Sequence, residues 1–175
     1  PDLIRLNRAA FHDARVHTIR AHGVSPGKKI AVTARTKLAN QLVDQTEYPL
    51  AEVHVVTIDA DLFVREVGET YDVAILDFPD PKNVELAKLY SVTFYRALDR
   101  RLAPEAVVSV QSTSPYQATK VFLCIGKTLR AAGFRALPFQ DHLPSFGDWG
   151  WHLAWLGATT EAEMRDRLRR LSTLA

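Results

Sequence analysis

Short apolar runs alternate with stretches of helical periodicity along most of this chain, and that alternation restricts the fold more than any other feature of the sequence. Runs with the composition of β-strands cover residues 15–19, 29–34, 53–58, 73–76, 107–111, 134–139 and 149–156. Helical stretches separate most of them, as in crossover units built on a mostly parallel sheet. A chain of 175 residues that is 47% hydrophobic can bury one core, so the pattern predicts a single α/β domain over residues 1–175.

Two helices between the strands are predicted from apolar residues at helical spacing. The first covers residues 87–101 and the second covers residues 117–132. The buried face of the second helix is expected to contain Val121, Ile125, Leu129 and Ala132. Gly133 follows that helix as a left-handed C-terminal cap.

The end of the chain distinguishes between variants of this architecture. Residues 141–148 separate the last two strand-like runs and are too few for a crossover helix, so these strands are predicted to pair antiparallel. A mostly parallel sheet that ends in an antiparallel hairpin is the methyltransferase-type variant of the Rossmann-like fold. The tail, residues 160–174, is predicted to be a docking helix that begins with a capping box of Thr160 and Glu163.

Composition argues against several classes of function. A formal net charge of +2 gives no basis for nucleic-acid binding. The histidines form no metal-binding pattern, so no metal site is predicted. Cys124 is the single cysteine, so no internal disulfide can form and a reducing, cytoplasmic setting is expected. Its apolar neighbours predict a packed thiol. No apolar run approaches the roughly 18 residues that a membrane span needs.

The strongest chemical signal is an acidic turn at the end of a strand. The apolar run 73–76 leads to Asp77, and Asp80 follows between Pro79 and Pro81. Ligands of open α/β sheets bind beyond the carboxyl ends of the strands, which is where this turn lies. The two carboxylates could bind a metal, act as a general base and an anchor, or bind an organic cation. The structural alternative is that Asp80 only forms a turn and Asp77 only caps a helix.

Further polar residues are predicted at the same edge, because we expect the third, fourth and fifth strand-like runs to be parallel neighbours. Asp59 and Asp61 follow the third run. One of them could accept a hydrogen bond from an adenine amino group, and either could instead cap the next helix. Gln111 ends the fifth run. Residues 144–150 are aromatic, acidic and rich in glycine, which suits a lid over a ligand, with Trp149 as a wall of the pocket.

Four segments together resemble the spermidine synthase family, the polyamine aminopropyltransferases. They are residues 71–81, the sequence Lys88-Leu89-Tyr90-Ser91 followed by Phe94-Tyr95, the sequence Val110-Gln111-Ser112, and residues 144–150. Their order and separation are similar to those of the family. The hairpin sequence Ser-Phe-Gly-Asp-Trp-Gly most resembles bacterial members whose catalytic domain follows membrane helices.

This resemblance implies a reaction and a role for each candidate residue. The reaction is transfer of an aminopropyl group from decarboxylated S-adenosylmethionine, a co-substrate, to putrescine or a similar amine, with no resident cofactor. Asp77 is implied as the general base and Asp80 as a ligand of the diamine. The remaining implied residues are Tyr90, Gln111 and Trp149 at the amine substrate, and Asp61, with Asp59 as a near rival, at the nucleoside.

Parts of the family pattern are expected outside this chain. A glycine-rich loop, an acidic ribose ligand and an N-terminal β-domain would precede Pro1, so we expect a truncated, partial catalytic domain. Residues 20–50 are expected to be an insertion, because residues 14–17 and 51–54 have similar surroundings. The segment is expected to pack as a peripheral helix and strand, because it contains the apolar residues Ile30, Val32, Leu38, Leu42 and Val43. Phe146 stands where many soluble members of the family have Tyr. The sequence is compatible with a homodimer and with a cytosolic domain that follows an upstream membrane segment.

Two alternatives to this interpretation stay open. A methyltransferase that uses S-adenosylmethionine would share the fold, but it has no general need for both Asp77 and Asp80. A non-catalytic, degenerate domain would keep the fold and lack the glycine-rich loop. The second carboxylate discriminates against the first alternative, and the residues encoded upstream of Pro1 would decide the second.

Overall fold

The computed structural model describes residues 15–21, 29–34, 51–56, 59–66, 68–145 and 147–172. Within these ranges seven strands form one sheet. They are β1 (Arg15–Ala21), β2 (Lys29–Ala34), β3 (Ala51–Val56), β4 (Tyr71–Leu76), β5 (Leu102–Gln111), β6 (Arg135–Leu143) and β7 (Gly147–Trp155). The helices are α1 (Ala60–Glu66), α2 (Val84–Ala87), a 3-10 turn (Lys88–Tyr90), α3 (Val92–Asp99), α4 (Thr119–Ala131) and α5 (Glu161–Ser172).

The strands follow the order β3-β1-β2-β4-β5-β7-β6 across the sheet. Strand β4 is parallel to both of its neighbours, β2 and β5. Strand β1 is antiparallel to β2 and β3, and β7 is antiparallel to β5 and β6. Five of the seven described strands therefore run in one direction, with β1 and β7 opposed to them. This confirms the predicted α/β class and its terminal antiparallel hairpin.

The predicted adjacency of strands is wrong in one respect. Strands β4 and β5 are parallel neighbours as expected, but β1 and β2 lie between β3 and β4. Strand β2, expected at the periphery as part of an insertion over 20–50, pairs inside the sheet with β1 and β4. An apolar run shows that a strand forms, whereas its partner depends on residues far away in sequence. The helix predicted within 20–50 lies outside the described residues.

Strand β3 nevertheless keeps the direction that the functional prediction needs. It is antiparallel to β1, which is antiparallel to β2, and β2 is parallel to β4. The carboxyl end of β3 therefore faces the same edge of the sheet as the carboxyl ends of β4 and β5.

Two apolar clusters pack on opposite faces of the sheet. The larger joins helices α1, α3 and α4 to the sheet and includes Ala136 and Ala154. The smaller contains Met164 of α5 with Leu137 and Trp155. Consecutive residues of a strand point to opposite faces. Ala154 belongs to the larger cluster and Trp155 to the smaller, so the two clusters lie on opposite faces of the sheet.

The helix predicted over 87–101 is broken into three parts. Asn83 caps α2 by accepting a hydrogen bond from the Leu86 amide at 2.9 Å. Ser91 caps α3 in the same way, through a bond of 3.1 Å from the Phe94 amide. A serine hydroxyl that takes the place of a backbone acceptor ends one helix and begins another. The break leaves Tyr90 at the end of the 3-10 turn.

Helix α4 buries most of the predicted face, with Phe122 in place of Val121. Its buried residues are Phe122, Ile125, Gly126 and Leu129. Val121 is 37% exposed, and Cys124 is also exposed rather than packed, so both expectations are wrong. The predicted cap is confirmed, because Gly133 has a φ of 106° and donates to the carbonyl of Arg130.

The last hairpin is tighter than the loop predicted over 141–148. The strand ladder continues through the pair Leu143 and Gly147. His142 and Asp148 are cross-strand partners, and the His142 Nδ1 atom lies 3.0 Å from Asp148 Oδ1. Much of the segment interpreted as a lid is therefore strand.

The last helix begins with the predicted capping box. The Glu163 amide donates to Thr160 Oγ1 at 3.2 Å, and the Thr160 amide donates to Glu163 Oε2 at 2.7 Å. No helix among the described residues is long and apolar enough to cross a membrane.

Candidate functional site

The carboxyl ends of β4 and β5 bring the predicted acidic turn and Gln111 together. Leu76 and Val110 are partners in the parallel register. The next residues, Asp77 and Gln111, therefore lie side by side at the carboxyl edge of the sheet. Asp77 and Asp80 are both half-buried. The turn between them is anchored by Phe78, which is 2% exposed.

The Tyr90 hydroxyl group holds this turn in place through hydrogen bonds. The Tyr90 Oη atom lies 3.1 Å from the carbonyl oxygen of Phe78 and 3.2 Å from that of Pro79. It also lies 3.1 Å from Gln111 Oε1. The Tyr90 and Phe78 rings meet edge to face at 6.1 Å between centroids. One phenolic proton therefore faces three acceptors, and it ties the acidic turn to the end of β5.

A second hydrogen bond extends this contact to the second carboxylate. Gln111 Nε2 donates to Asp80 Oδ1 at 3.3 Å. The reverse orientation of the amide would place its oxygen against the Asp80 carboxylate, so the network selects this one. The result is a chain from Tyr90 through Gln111 to Asp80, which we call the amide relay.

Burial and the nearby acidic pair both affect the pKa of Tyr90 in the amide relay. Burial raises the pKa of Tyr90 well above its ordinary value of 10.0, and the neighbouring Tyr95, Asp80 and Asp77 raise it further. The Tyr90 hydroxyl therefore stays protonated and remains a donor. Two carboxylates close to a buried phenol also create a negative potential that favours a bound cation.

Asp59 and Asp61 follow β3 and differ in what they contact. Asp59 Oδ1 accepts hydrogen bonds from the amides of Asp61 at 2.9 Å and Leu62 at 3.2 Å, so Asp59 caps α1. Burial opposes ionisation of Asp59, but the bonds from Leu62, Lys88 and Asp61 outweigh it and lower the pKa. Asp61 instead pairs with Arg65 one turn later, at 2.9 and 3.0 Å.

Lys88 links these acids to the amide relay and was given no role by the sequence. Its Nζ atom lies 3.3 Å from Asp59 Oδ2. Lys88 begins the 3-10 turn that ends at Tyr90, so one short turn contacts both parts of the predicted site. Their separation of 29 residues explains why local patterns did not reveal the pair.

Trp149 lies in β7 opposite Asp141 and is half-buried. The next residue, Gly150, accepts a hydrogen bond from the Ser112 amide and donates one to the Thr113 carbonyl, both at 2.9 Å. The hairpin is thereby joined to the residues that follow Gln111. Phe146 lies outside the described residues, so its comparison with tyrosine stays a prediction.

A buried polar pair beside this junction was also missed. His152 Nδ1 lies 2.9 Å from Ser112 Oγ, and the two residues are 2% and 0% exposed. His152 alternates with the tryptophans of β7, so the sequence placed it on the opposite face of the strand and gave no sign that this face is buried too. Among the residues that the structure describes, no group of three or more His, Cys, Asp and Glu side chains could hold a metal ion.

Comparison with known sequences identifies one family and several relatives. The sequence model of the spermine/spermidine synthase domain matches residues 30–166. The chain is 51% identical over 108 residues to polyamine aminopropyltransferase 1 of Streptomyces coelicolor, covering 62% of this chain and 20% of the relative. It is 44% identical over 112 residues to polyamine aminopropyltransferase 2 of Ralstonia nicotianae, covering 64% of this chain and 22% of that protein. The matched region thus spans about a fifth of these relatives.

Solved structures show the same fold at lower identity. A spermidine synthase in complex with the transition-state analogue AdoDATO superposes with a TM-score of 0.57 at 22% identity, covering 73% of this chain and 46% of that chain. Human methyltransferase-like protein 13 in complex with SAH has a TM-score of 0.54 at 16% identity, with 82% of this chain and 69% of that chain covered. Both similarities concern the fold.

Proposed function

The chain belongs to the spermine/spermidine synthase domain family, and from this premise we propose that the intact protein is an aminopropyltransferase. It transfers an aminopropyl group from decarboxylated S-adenosylmethionine to putrescine or a similar amine. One observation carries the proposal: the amide relay, in which Tyr90 and Gln111 hold Asp80 beside Asp77 at the carboxyl edge of the sheet.

The charges of the two substrates fit this edge. Putrescine carries two ammonium groups at neutral pH, and decarboxylated S-adenosylmethionine carries a sulfonium and an ammonium. Bringing two cations together requires anions that screen their repulsion. Asp77 and Asp80 are carboxylates, and the Tyr90 and Gln111 groups of the amide relay are neutral, so the relay itself adds no positive charge beside the substrates.

Asp77 is proposed as the general base because it follows β4 directly, where the strand fixes its position. One ammonium of the diamine gives a proton to the Asp77 carboxylate and becomes a neutral amine. The nitrogen lone pair then forms a bond to the methylene carbon next to sulfur. The carbon–sulfur bond breaks, its electron pair neutralises the sulfonium, and methylthioadenosine leaves.

Asp80 is proposed as the anchor of the diamine. Its Oδ1 atom already accepts a hydrogen bond from Gln111, which restricts rotation of the carboxylate before substrate arrives. An ion pair to an ammonium group then costs less conformational freedom than one formed by a mobile side chain. Trp149, near the turn of the hairpin, is proposed as a wall of the same pocket.

The nucleoside is proposed to lie beyond β3. Asp59 Oδ1 is occupied by two amides of α1, which favours Asp61 as the acceptor of the adenine amino group. Asp61 is paired with the largely exposed Arg65, a partner that can turn toward solvent. We further place the reaction in the cytoplasm, in keeping with the single, unpaired cysteine.

The test uses the full-length protein with putrescine and decarboxylated S-adenosylmethionine, followed by mass spectrometry of the products. We expect spermidine and methylthioadenosine in equal amounts. A parallel reaction with ordinary S-adenosylmethionine is the control, and it should yield neither product. Methyl transfer from S-adenosylmethionine without aminopropyl transfer from the decarboxylated form would overturn the proposal.

A further inference from the structure

We propose that Ser112 and His152 form a positioning pair that fixes the carboxyl end of β5 and thereby aims the Gln111 amide at Asp80. The kinetic part of this inference rests on the proposed function, whereas the structural part does not. The side chains of Ser112 and His152 bond to each other and to the carbonyl of Val110, so the pair would act through the backbone of β5 and through Gln111.

The hydrogen bonds of the pair show which atom is the donor in each contact. Ser112 Oγ donates to the carbonyl oxygen of Val110 at 2.9 Å. Its single proton is then used, so Ser112 Oγ accepts from His152 Nδ1 at 2.9 Å. His152 is therefore the neutral tautomer with its proton on Nδ1. The pair joins β7 to the last residues of β5.

The imidazole is held from its other side by two residues of α4. The ring of Phe122 lies 4.6 Å from that of His152 between centroids. Gly126 lies against the imidazole edge so closely that a Cβ atom there would be 2.6 Å from Nε2. No rotamer change is open to a buried ring in such a contact, so the donor atom stays at Ser112.

The backbone after Gln111 explains why this position needs support. Thr113 has a φ of 63°, in the left-handed region that a β-branched residue rarely occupies. Gly150 pairs with the backbone on both sides of this kink, accepting from Ser112 and donating to Thr113. The Ser112 side chain adds the third attachment. Thr113, a strained residue two positions after Gln111, is thus held in place by groups from β7.

Gln111 is the last residue of β5 and lies two positions before this kink. Gln111 must offer its amide oxygen to Tyr90 and its amide nitrogen to Asp80 at the same time. A small rotation of the strand end would break one of these bonds. The Ser112–His152 pair lies one residue away, so loosening it should loosen the amide relay.

The decisive experiment compares two substitutions of nearly equal shape in the full-length protein. His152→Asn retains a donor near the position of Nδ1, and His152→Leu has none. We expect His152→Leu and Ser112→Ala to raise the KM for putrescine about 5-fold, the effect of one lost hydrogen bond, with kcat changed less than about 2-fold. His152→Asn should restore most of the parental KM.

Thr128→Ala is the matched control for Ser112→Ala, because each substitution removes one side-chain hydroxyl group. Thr128 Oγ1 donates to the Cys124 carbonyl at 2.9 Å within α4, away from the strand end. This change should leave the KM for putrescine unaltered. An unaltered KM in both His152→Leu and Ser112→Ala, in an active parent, would overturn the inference, as would equal KM values for the Asn and Leu variants.

A second measurement does not depend on activity. Heteronuclear NMR should show the His152 proton on Nδ1, and the Gln111 side-chain amide signals should shift in His152→Leu and Ser112→Ala but not in Thr128→Ala. Gln111 signals that match the parent in both variants would refute the positioning role. An inactive parent with the expected shifts would refute the proposed function alone.

Discussion

At the scale of single residues, the two carboxylates after β4 differ in their surroundings. Asp80 accepts a hydrogen bond from Gln111 and belongs to the amide relay, whereas Asp77 leaves the strand directly. Sequence reasoning placed both acids correctly at the carboxyl edge, because an apolar strand followed by two prolines is a local pattern. It could not reveal the relay, whose members come from three separate segments.

Asp77→Asn in the full-length enzyme should lower aminopropyl transfer by about 10²–10⁴, the usual effect of losing a general base. The amide keeps the shape of the side chain but cannot take the proton. Asp80→Asn should instead raise the KM for putrescine more than it lowers kcat, because Asp80 neutralises charge in both ground and transition states. Steady-state kinetics distinguishes these outcomes. Near-parental turnover in Asp77→Asn would show that another group is the base.

Tyr90→Phe should lower the free energy of unfolding by about 1–2 kcal/mol, because it removes the donor of a buried hydrogen bond. Tyr95→Phe is a matched control, since the Tyr95 hydroxyl is buried and has no hydrogen-bond partner among the described residues. That change should be neutral or stabilising. Urea denaturation of the three proteins measures the difference, and equal destabilisation by both changes would contradict it.

At the scale of elements, helix α4 and strand β7 meet without space for additional atoms. Gly126 would ordinarily favour replacement by alanine, which raises helix propensity by about 1 kcal/mol. Here a Cβ atom would lie 2.6 Å from His152 Nε2. Packing should therefore reverse the sign of the usual effect.

Gly126→Ala should destabilise the protein by about 1–3 kcal/mol, as expected for overpacking of a core. Gly68→Ala is the control, because a Cβ atom at Gly68 meets nothing within 4 Å. Thermal denaturation followed by circular dichroism would measure both. A stabilised Gly126→Ala protein would show that the His152 ring moves freely away from α4.

At the scale of the whole molecule, the buried His152 makes stability depend on pH. Burial, assisted by the charge of Arg130, lowers the pKa of His152 from 6.5 to about 4. The unfolded chain therefore binds a proton at a higher pH than the folded protein does. The resulting stability is fully present above pH 6.5 and is lost progressively as the pH falls toward 4.

The expected loss across this window is about 3 kcal/mol, from 1.36 kcal/mol per pKa unit. Urea denaturation at a series of pH values would measure it. His152→Asn should flatten the profile between pH 6.5 and 4, because the pKa of this histidine is the source of the slope. The lowered pKa values of Asp59 and Glu163 act in the same direction but at lower pH, since their ordinary values are 3.8 and 4.5. A parental profile that is flat above pH 5 would contradict the assignment.

Sequence patterns alone were sufficient to predict the α/β class, the terminal hairpin, the acidic turn and the capping box of α5. The acidic turn and the capping box depend on residues within a few positions of one another, Asp77 with Asp80 and Thr160 with Glu163. The α/β class and the hairpin depend on the order and spacing of the apolar runs along the chain. The tertiary structure alone established that β2 lies beside β4 and that His152 faces Ser112. Those outcomes depend on strand pairing and on burial between distant segments, where many partners are compatible with the same local pattern.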